Sequence, residues 1–410
     1  MSCAYELRCV SCGRVYAAEQ APDYLCSACA EQYTPGLPLR GVLECVYDYA
    51  AWRAEHERGA ALHEVLWPCS AAELARVPLR VGGTPLYDVP RLAERADVAA
   101  VWVKDDTTEP TGSYKDRATQ LVLAMALRRG ITHVTCASTG NAACSLAGLS
   151  AAAGVHAHIF VSARAPRAKL AQIAAYGAEL IAVDGTYDDC FEMSIRATRA
   201  HGWYNRNTAY NPWTIEGKKS AGWELGLQCG ARVPDQVFVP TGDGVIISGI
   251  YKGLCDLIQL GWLEKMPRLV AVQPEGSCAI ARALAAGGGG RDARHPNAHS
   301  VADSLVVSAP RNAELALKAV RASAGYAVCV SDDDILRALT ELAELTGVYA
   351  EPAAAAAWAG LLAARAHGHI AARESAALLV TGTGLKDSAA AERAVALRRA
   401  EHRRQHKEYS

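Results

Sequence analysis

The chain has 410 residues, of which 51% are hydrophobic and 21% charged, and its formal net charge is -1. This length favours two domains over a single compact core. The near-neutral charge gives no general attraction to nucleic acid or to an anionic membrane. No apolar run reaches the roughly 18–20 residues of a membrane span, and the start lacks the apolar core of a secretory signal. We therefore expect a cytoplasmic protein that binds neither nucleic acid nor membrane.

Residues 1–35 carry two cysteine pairs with the same short spacing. Cys9 and Cys12 form the first pair, Cys26 and Cys29 form the second, and thirteen residues separate the pairs. Four thiolates in this arrangement suit a structural Zn²⁺, although the gap is slightly shorter than in the commonest zinc ribbons. Two thiol pairs without a metal are the alternative. A catalytic metal is disfavoured because four cysteines leave no open coordination position.

After a proline-containing linker and a helix predicted around YDYAAWRAEHERG, β-rich runs alternate with helical patterns. The predicted strands are VAAVWVKDD, THVTCAST, AHIFVSA, AELIAVDG, DQVFVPTG, RLVAVQPEG and SAALLVTGTG. The predicted helices include NAACSLAGLSAAAG, RAKLAQIAAYG, YDDCFEMSIRATRAHG, KKSAGWELGLQCG, IISGIYKGLCDLIQLG and DDDILRALTELAELTG. Strands that are apolar on both faces and separated by helices indicate an α/β fold with doubly wound parallel sheets. Residues 396–410 form a basic tail, which we predict to be a solvated helix end.

In such sheets, ligands bind beyond the carboxyl ends of strands, where turns meet helix N-termini. The turn EPTGSYKDRATQ places Lys115 directly before a helix with an apolar face. One interpretation is an ordinary charge near a helix start, and the other is an amine held for a cofactor. Asp116 and Arg117 can pair with other groups and so fix the start of this helix.

The turn STGNAACS also follows a strand and opens a helix. Ser138, Thr139, Gly140 and Asn141 offer small polar groups and backbone donors at the positive end of a helix dipole. Such a site suits a carboxylate. Simple N-capping is the alternative.

Two further turns also follow strands. In PTGDGVIISG, two glycines let the backbone approach a ligand closely, and a helix follows. The start of a helix suits a phosphate, provided that the Asp243 carboxylate points away from it. The candidate phosphate-binding residues are Thr241, Gly242, Asp243, Gly244 and Val245. In TGTGLKD, Thr381 either caps the next helix or offers a hydroxyl to a ring nitrogen. The four turns together meet the requirements of pyridoxal phosphate catalysis on an amino acid.

The same stretches resemble a known family over residues 1–395. PTGSYKDRATQ resembles the P-T-G-S-[FY]-K-D-R motif of threonine synthases and their deaminase and synthase relatives, the fold-type II enzymes. ASTGNAACSLA is similar to the A-S-T-G-N loop of that group, and VPTGDGVIISGIYKG to its phosphate loop. LLVTGTGLKD resembles the ending that is typical of threonine synthases.

The resemblance implies that Lys115 bonds pyridoxal 5'-phosphate covalently, that Asn141 hydrogen-bonds the cofactor's 3'-oxygen, and that Thr381 faces the pyridine nitrogen. The loop Ser138–Asn141 then holds the substrate carboxylate. A homodimer acting on a small amino acid is implied as well, with the cofactor between two lobes. The implied larger lobe comprises 36–125 and 226–395, and the smaller, mobile substrate lobe comprises 126–225.

One departure from the family pattern concerns the substrate. Threonine synthases usually carry an arginine just before x-E-G that binds the phosphate of O-phosphohomoserine, whereas NPWTIEG places Thr214 there. Arg206, Lys218 or Lys219 can supply the lost charge. We expect a threonine-synthase-like lyase acting by elimination or replacement at Cβ or Cγ. The alternatives are a serine or threonine deaminase or β-replacement synthase, and a catalytically dead fold in which the ribbon binds a partner.

Overall fold

The computed structural model describes residues 5–57, 67–165, 167–230 and 232–408. The strands in these ranges are β1 (Tyr5–Cys9), β2 (Val15–Ala17), β3 (Leu43–Tyr47), β4 (Leu86–Asp88), β5 (Ala100–Asp105), β6 (His133–Ala137), β7 (His156–Ser162), β8 (Glu179–Val183), β9 (Tyr204–Asn205), β10 (Gln236–Pro240), β11 (Arg268–Pro274), β12 (Tyr326–Val330) and β13 (Ser375–Val380). They belong to three sheets.

The helices in the same ranges pack around these sheets. They are α1 (Ser27–Ala30), α2 (Tyr49–Glu57), α3 (Ala71–Leu74), α4 (Pro90–Ala96), α5 (Lys115–Arg128), α6 (Asn141–Ala153), α7 (Arg167–Ala175), α8 (Tyr187–His201), α9 (Trp213–Lys218), α10 (Ser220–Cys229), α11 (Val245–Gln259), α12 (Ala279–Ala285), α13 (Ala313–Ala322), α14 (Asp332–Thr346), α15 (Pro352–Ala366) and α16 (Ser388–Glu408). None of them combines the length and apolar character that a membrane crossing requires.

The larger sheet has the strand order β12-β11-β10-β13-β5-β4. Its strands run parallel except at the edge, where β4 pairs antiparallel with β5. All five residues of β10 are buried, as are five of the six residues of β13. Burial on both faces explains why these strands are continuously apolar. Because β10 and β13 are neighbours, the turns that follow them emerge side by side.

The smaller sheet has the order β8-β7-β6-β9, and all its pairs are parallel. Helix α6 starts four residues after β6 ends, which sets its N-terminus at the carboxyl edge of this sheet. The predicted α/β fold with parallel sheets is confirmed. The seven predicted strands are all present as β5, β6, β7, β8, β10, β11 and β13.

Six strands of the described ranges were not predicted; five of them are short or lie outside the alternating pattern, whereas β12 lies inside it. These include the two-residue β9 and the third strand of the N-terminal sheet. That sheet has the antiparallel order β2-β1-β3, so it takes β3 from beyond the predicted 1–35 segment. The basic tail belongs to the end of α16, where Glu401 accepts a hydrogen bond from Arg337 Nε at 2.7 Å.

The N-terminal segment packs against two distant parts of the chain, at Tyr210 and at Arg311. The Tyr24 ring stacks on Tyr210 with ring centroids 4.5 Å apart. Arg311 donates from Nη1 to the Leu37 carbonyl at 2.6 Å, and the Leu39 amide donates to the Arg311 carbonyl at 3.2 Å. This segment therefore braces the region around α8, α9 and α13.

Candidate active site

Two adjoining cavities lie at the turns that follow the buried strands. The inner cavity, of about 70 Å³, is lined by Lys115, Lys218, Thr381 and the turn after β10. The outer cavity, of about 280 Å³, is lined by the start of α6 and the turn before α16. Ser304 and Glu351 line both, so the two cavities adjoin.

Backbone hydrogen bonds hold Lys115 next to the turn after β13. The Tyr114 amide donates to the Thr381 carbonyl at 3.0 Å, and the Thr383 amide donates to the Gly112 carbonyl at 3.0 Å. Gly112 has a φ of 77°, and a Cβ there would lie 2.8 Å from Thr383 Cγ2. The glycine of the TGSYK turn is therefore needed for this close approach.

Buried charges fix the helix that starts at Lys115. Arg117 donates from Nε to Asp106 at 2.6 Å and from Nη1 to Glu224 at 2.6 Å. Asp116 accepts from the Thr111 amide at 2.7 Å and from its hydroxyl at 2.6 Å. The prediction that Asp116 and Arg117 pair with other groups is confirmed.

The electrostatic surroundings of Lys115 favour a neutral amine. Burial lowers the pKa of Lys115 to about 8 from its usual value near 10.5. Glu351 and Asp243 oppose this shift in pKa, whereas Arg206 and Lys386 add to it. An amine with this pKa can accept and donate protons near neutral pH.

The predicted carboxylate loop lies at the outer cavity. Thr139, Gly140 and Asn141 line the cavity, while the Ser138 hydroxyl accepts the Gly140 amide at 3.1 Å and so shapes the turn. These residues open α6, so backbone donors are available at its first turn.

Asn141 is held by two residues that were not predicted as site residues. Its Nδ2 donates to both carboxylate oxygens of Glu351, at 2.9 and 3.0 Å. Its Oδ1 accepts from Lys386 Nζ at 3.0 Å. Burial raises the pKa of Glu351. In the sequence, Glu351 directly precedes Pro352, the residue that starts α15.

The turn after β10 contributes Thr241, Gly242, Asp243, Gly244 and Val245 to the inner cavity. The Asp243 carboxylate accepts the Arg311 amide at 2.9 Å, so one oxygen is turned to the protein. Gly244 has a φ of 84°, and a Cβ there would lie 2.6 Å from Ala316 Cβ. The first amides of α11 lack intrahelical partners, as a phosphate site requires.

Within the part of the chain that the structure describes, three buried polar atoms near these cavities lack a hydrogen-bond partner: Ser113 Oγ, Arg206 Nη2 and Asn312 Oδ1. Ser113 is two residues before Lys115, and Asn312 donates from Nδ2 to the Gly244 carbonyl at 3.3 Å. Unpartnered buried polar groups are rare in folded proteins. These atoms, the Lys115 amine and the helix-start loop fit a polar cofactor carrying an aldehyde and a phosphate.

The three candidate cations for the missing arginine have different surroundings. Thr214 itself donates to the Asn211 carbonyl at 2.7 Å and carries no charge. Lys219 forms buried ion pairs with Glu216 and, at 2.9 Å, with Asp256. Lys218 instead lines the inner cavity. Arg206 lies close enough to Lys115 to affect its pKa.

The four predicted metal ligands come together away from the cavities. The sulfur atoms of Cys9, Cys12, Cys26 and Cys29 all lie within 4.8 Å of one another. The Cys9–Cys29 and Cys12–Cys26 sulfur distances are both 3.8 Å. A tetrahedral zinc with Zn–S bonds of about 2.3 Å has sulfur–sulfur edges of about 3.8 Å. The cluster therefore fits a zinc ion.

Comparisons with known proteins identify the family of this chain. Residues 77–382 match the family model described as pyridoxal-phosphate dependent enzyme. The threonine synthase of Methanosarcina acetivorans is 34% identical over 387 residues, covering 93% of this chain and 92% of that protein. The threonine synthase of Methanocaldococcus jannaschii is 33% identical over 400 residues, with 94% of each covered.

Solved structures show the same fold at low sequence identity. A processed form of threonine deaminase isoform 2 from Solanum lycopersicum has a TM-score of 0.67 and 20% identity, covering 80% of this chain and 92% of that one. Maize serine racemase has a TM-score of 0.66 and 21% identity, covering 83% and 97%. The family match spans both Lys115 and Thr381. The chain therefore belongs to the pyridoxal-phosphate-dependent enzyme family, in which it resembles the threonine synthases.

Proposed function

We propose that this pyridoxal-phosphate-dependent lyase converts O-phosphohomoserine to threonine by elimination and addition of water. The observation that carries the proposal is the convergence of Lys115, the loop 138–141 and the loop 241–245 on two adjoining cavities. The similarity to threonine synthases over nearly the whole chain supports the same reaction.

When bound, pyridoxal phosphate supplies a ring that accepts electrons from the substrate α-carbon. Lys115 carries the proton transfers, since its pKa of about 8 lets the amine take a proton from Cα and return one further along the side chain. The start of α6 orients the substrate carboxylate by its backbone donors. Thr381 lines the inner cavity and would offer a neutral hydroxyl to the ring nitrogen of the bound cofactor, which would favour elimination or replacement over transamination.

The reaction is tested with the PLP-loaded enzyme and O-phosphohomoserine. We expect release of inorganic phosphate in a one-to-one ratio with threonine, measured by a phosphate assay and by amino-acid analysis. The proposal fails if serine or threonine yields a keto acid while O-phosphohomoserine releases no phosphate.

That outcome would support the second candidate, a serine or threonine deaminase or a β-replacement synthase. The observation favouring it is Thr214, which stands where threonine synthases usually carry the phosphate-binding arginine. Loss of a bidentate arginine weakens phosphate recognition unless another cation replaces it.

Cofactor recombination should report the lowered pKa of Lys115. Only the neutral amine bonds the aldehyde, and with a pKa of about 8 it is neutral at alkaline pH. We expect the rate at which apo-protein takes up the cofactor to rise with pH below about 8 and to level off above it, whereas an ordinary lysine would extend the rise to about pH 10.4. Stopped-flow absorbance measures this rate. A rate that climbs unchanged well beyond pH 8 contradicts the prediction.

We also propose that the four-cysteine cluster holds one structural Zn²⁺ per chain. Removing it with a chelator should lower the thermal midpoint, because the cluster organises the segment that packs on Tyr210 and Arg311. Elemental analysis of freshly purified, reduced protein measures the metal. Cys12→Ser should lose zinc and Cys255→Ser, outside the cluster, should retain it. Protein without zinc overturns the assignment.

Two further proposals concern the protein in the cell. A four-thiolate site is best maintained in a reducing compartment, which supports a cytoplasmic location. The resemblance to the family supports a homodimer, for which light scattering coupled to size-exclusion chromatography should give twice the chain mass of 43.5 kDa.

A further inference from the structure

We propose that Lys218, assisted by Arg206, forms the subsite that binds the phosphate ester of the substrate. The proposal deepens the proposed lyase function and rests on it. It assigns to this chain a phosphate-binding pair that differs from the arginine usual in threonine synthases.

Lys218 is a buried amine for which no hydrogen bond or ion pair with a described residue is found. The residue is 1% exposed and lines the inner cavity, where the Asp243 carboxylate acts on the amine without forming an ion pair with it. The adjacent Lys219 is equally buried but is paired with two carboxylates. An unpaired buried charge is costly unless a ligand compensates it. The contrast between the two lysines points to an anion next to Lys218.

Arg206 adds a second incomplete cation. It is 1% exposed, its Nε donates to Thr119 Oγ1 at 3.1 Å, and its Nη2 has no partner. Burial, together with the neighbouring Lys115 and Arg206, lowers the pKa of Lys218 well below its usual value. A dianion bound at Lys218 would favour the protonated amine, and the buried charge of Arg206, which acts on Lys218, would add to the stabilisation of that anion.

The position of Lys218 relates it to the departure at Thr214. Both residues lie on α9, and their spacing of four residues places them on one face of the helix. A cation at Lys218 is therefore displaced by about one helical turn, or about 5.4 Å, from the usual arginine position. The flexible lysine side chain spans such a distance.

The reaction involves two other anions, the cofactor phosphate and the substrate carboxylate, and other groups are available to bind them. The start of α11 offers amides to the cofactor phosphate, and the start of α6 offers amides to the substrate carboxylate. Lys218 and Arg206 are then left for a third anion. Because both are cations, a phosphoryl dianion satisfies them better than a neutral side chain does.

The test measures ligand binding to the PLP-loaded enzyme and does not require turnover. The probe is the phosphonate isostere of O-phosphohomoserine, in which CH2 replaces the ester oxygen. Norvaline, which lacks the phosphonate, is the neutral comparison. We expect Lys218→Gln to weaken phosphonate binding by about 10- to 100-fold, as for a lost charged hydrogen bond, and to leave norvaline binding unchanged. Equal losses for both ligands, or no loss, overturn the proposal.

Two controls distinguish binding at this subsite from a general effect of charge and from binding of the cofactor phosphate. Lys318→Gln removes the same charge at an exposed lysine and should leave both affinities unchanged. The cofactor phosphate is the other phosphate that Lys218 could bind. Titration of the apo-protein with pyridoxal phosphate and, separately, with pyridoxal tests this alternative. If Lys218→Gln selectively weakens pyridoxal phosphate, the lysine serves the cofactor and the proposal is wrong.

The thermal stability of the apo-protein distinguishes a ligand-binding role of Lys218 from a structural one. Lys218→Met should raise the thermal midpoint of the apo-protein, because a buried amine without a protein partner is replaced by an apolar side chain. Lys219→Met should lower it, because Glu216 and Asp256 lose the closer of their two lysine partners, the other being Lys252. A fall in both variants contradicts a ligand-binding role for Lys218. If the wild-type enzyme binds the phosphonate through Lys218 but releases no phosphate from O-phosphohomoserine, the subsite stands and the proposed function fails.

Discussion

Lys115→Ala is expected to remove the visible absorbance of the bound cofactor and to lower kcat by about 10³- to 10⁴-fold. The substitution removes both the amine that bonds the aldehyde and the group that transfers protons. The lowered pKa of about 8 and the position of Lys115 at the inner cavity support these two roles. Absorbance spectra of the purified variant and initial rates of phosphate release measure the two effects.

Lys218→Gln is the matched control, because Lys218 lines the same cavity. This variant should retain the visible band. Borohydride reduction of the wild-type protein should fix the cofactor to the peptide that contains Lys115. A cofactor found on Lys218, or a band retained in Lys115→Ala, would falsify the assignment of the covalent lysine.

Arg117→Met is expected to destabilise the protein by about 3–5 kcal/mol, as when one partner of a buried ion pair is removed. Arg117 is 1% exposed, and its loss leaves Asp106 and Glu109 buried without their cation. The midpoint of urea unfolding should fall accordingly. Since these contacts fix the start of α5, cofactor affinity should fall in the same variant.

Arg164→Ala is the control for a lost arginine charge. Arg164 and Asp184 lie 3.7 Å apart, but their side chains are 85% and 90% exposed. Exposed pairs contribute little, so this variant should unfold at the wild-type midpoint. A similar fall in both variants would show that overall charge, and not the buried network, determines stability.

Much of the active site could be predicted because its chemistry is carried by short stretches of sequence. Glycine at a turn, small polar residues at a helix start and a lysine before an apolar helix each have a local physical meaning. The structure brings Lys115, Asn141 and Thr381 to adjoining cavities, as the turns suggested. Their contacts with the cofactor remain predictions.

Glu351 and Lys218 show what local patterns leave out. Glu351 contacts Asn141 across 210 residues of sequence, so no window around either residue reveals the pair. Lys218 and Lys219 are neighbours of the same type, yet only Lys219 meets carboxylates from α9 and α11. The difference depends on which side of α9 faces the cavity.

The amino-acid sequence by itself determined the α/β class, the cysteine cluster and the chemistry available at each turn, because periodicity, spacing and backbone freedom are local properties. The tertiary structure alone decided the strand order, the third strand of the N-terminal sheet and which cations reach the inner cavity. Those features depend on contacts between distant segments, where burial and ion pairing set whether a charge is satisfied or left for a ligand.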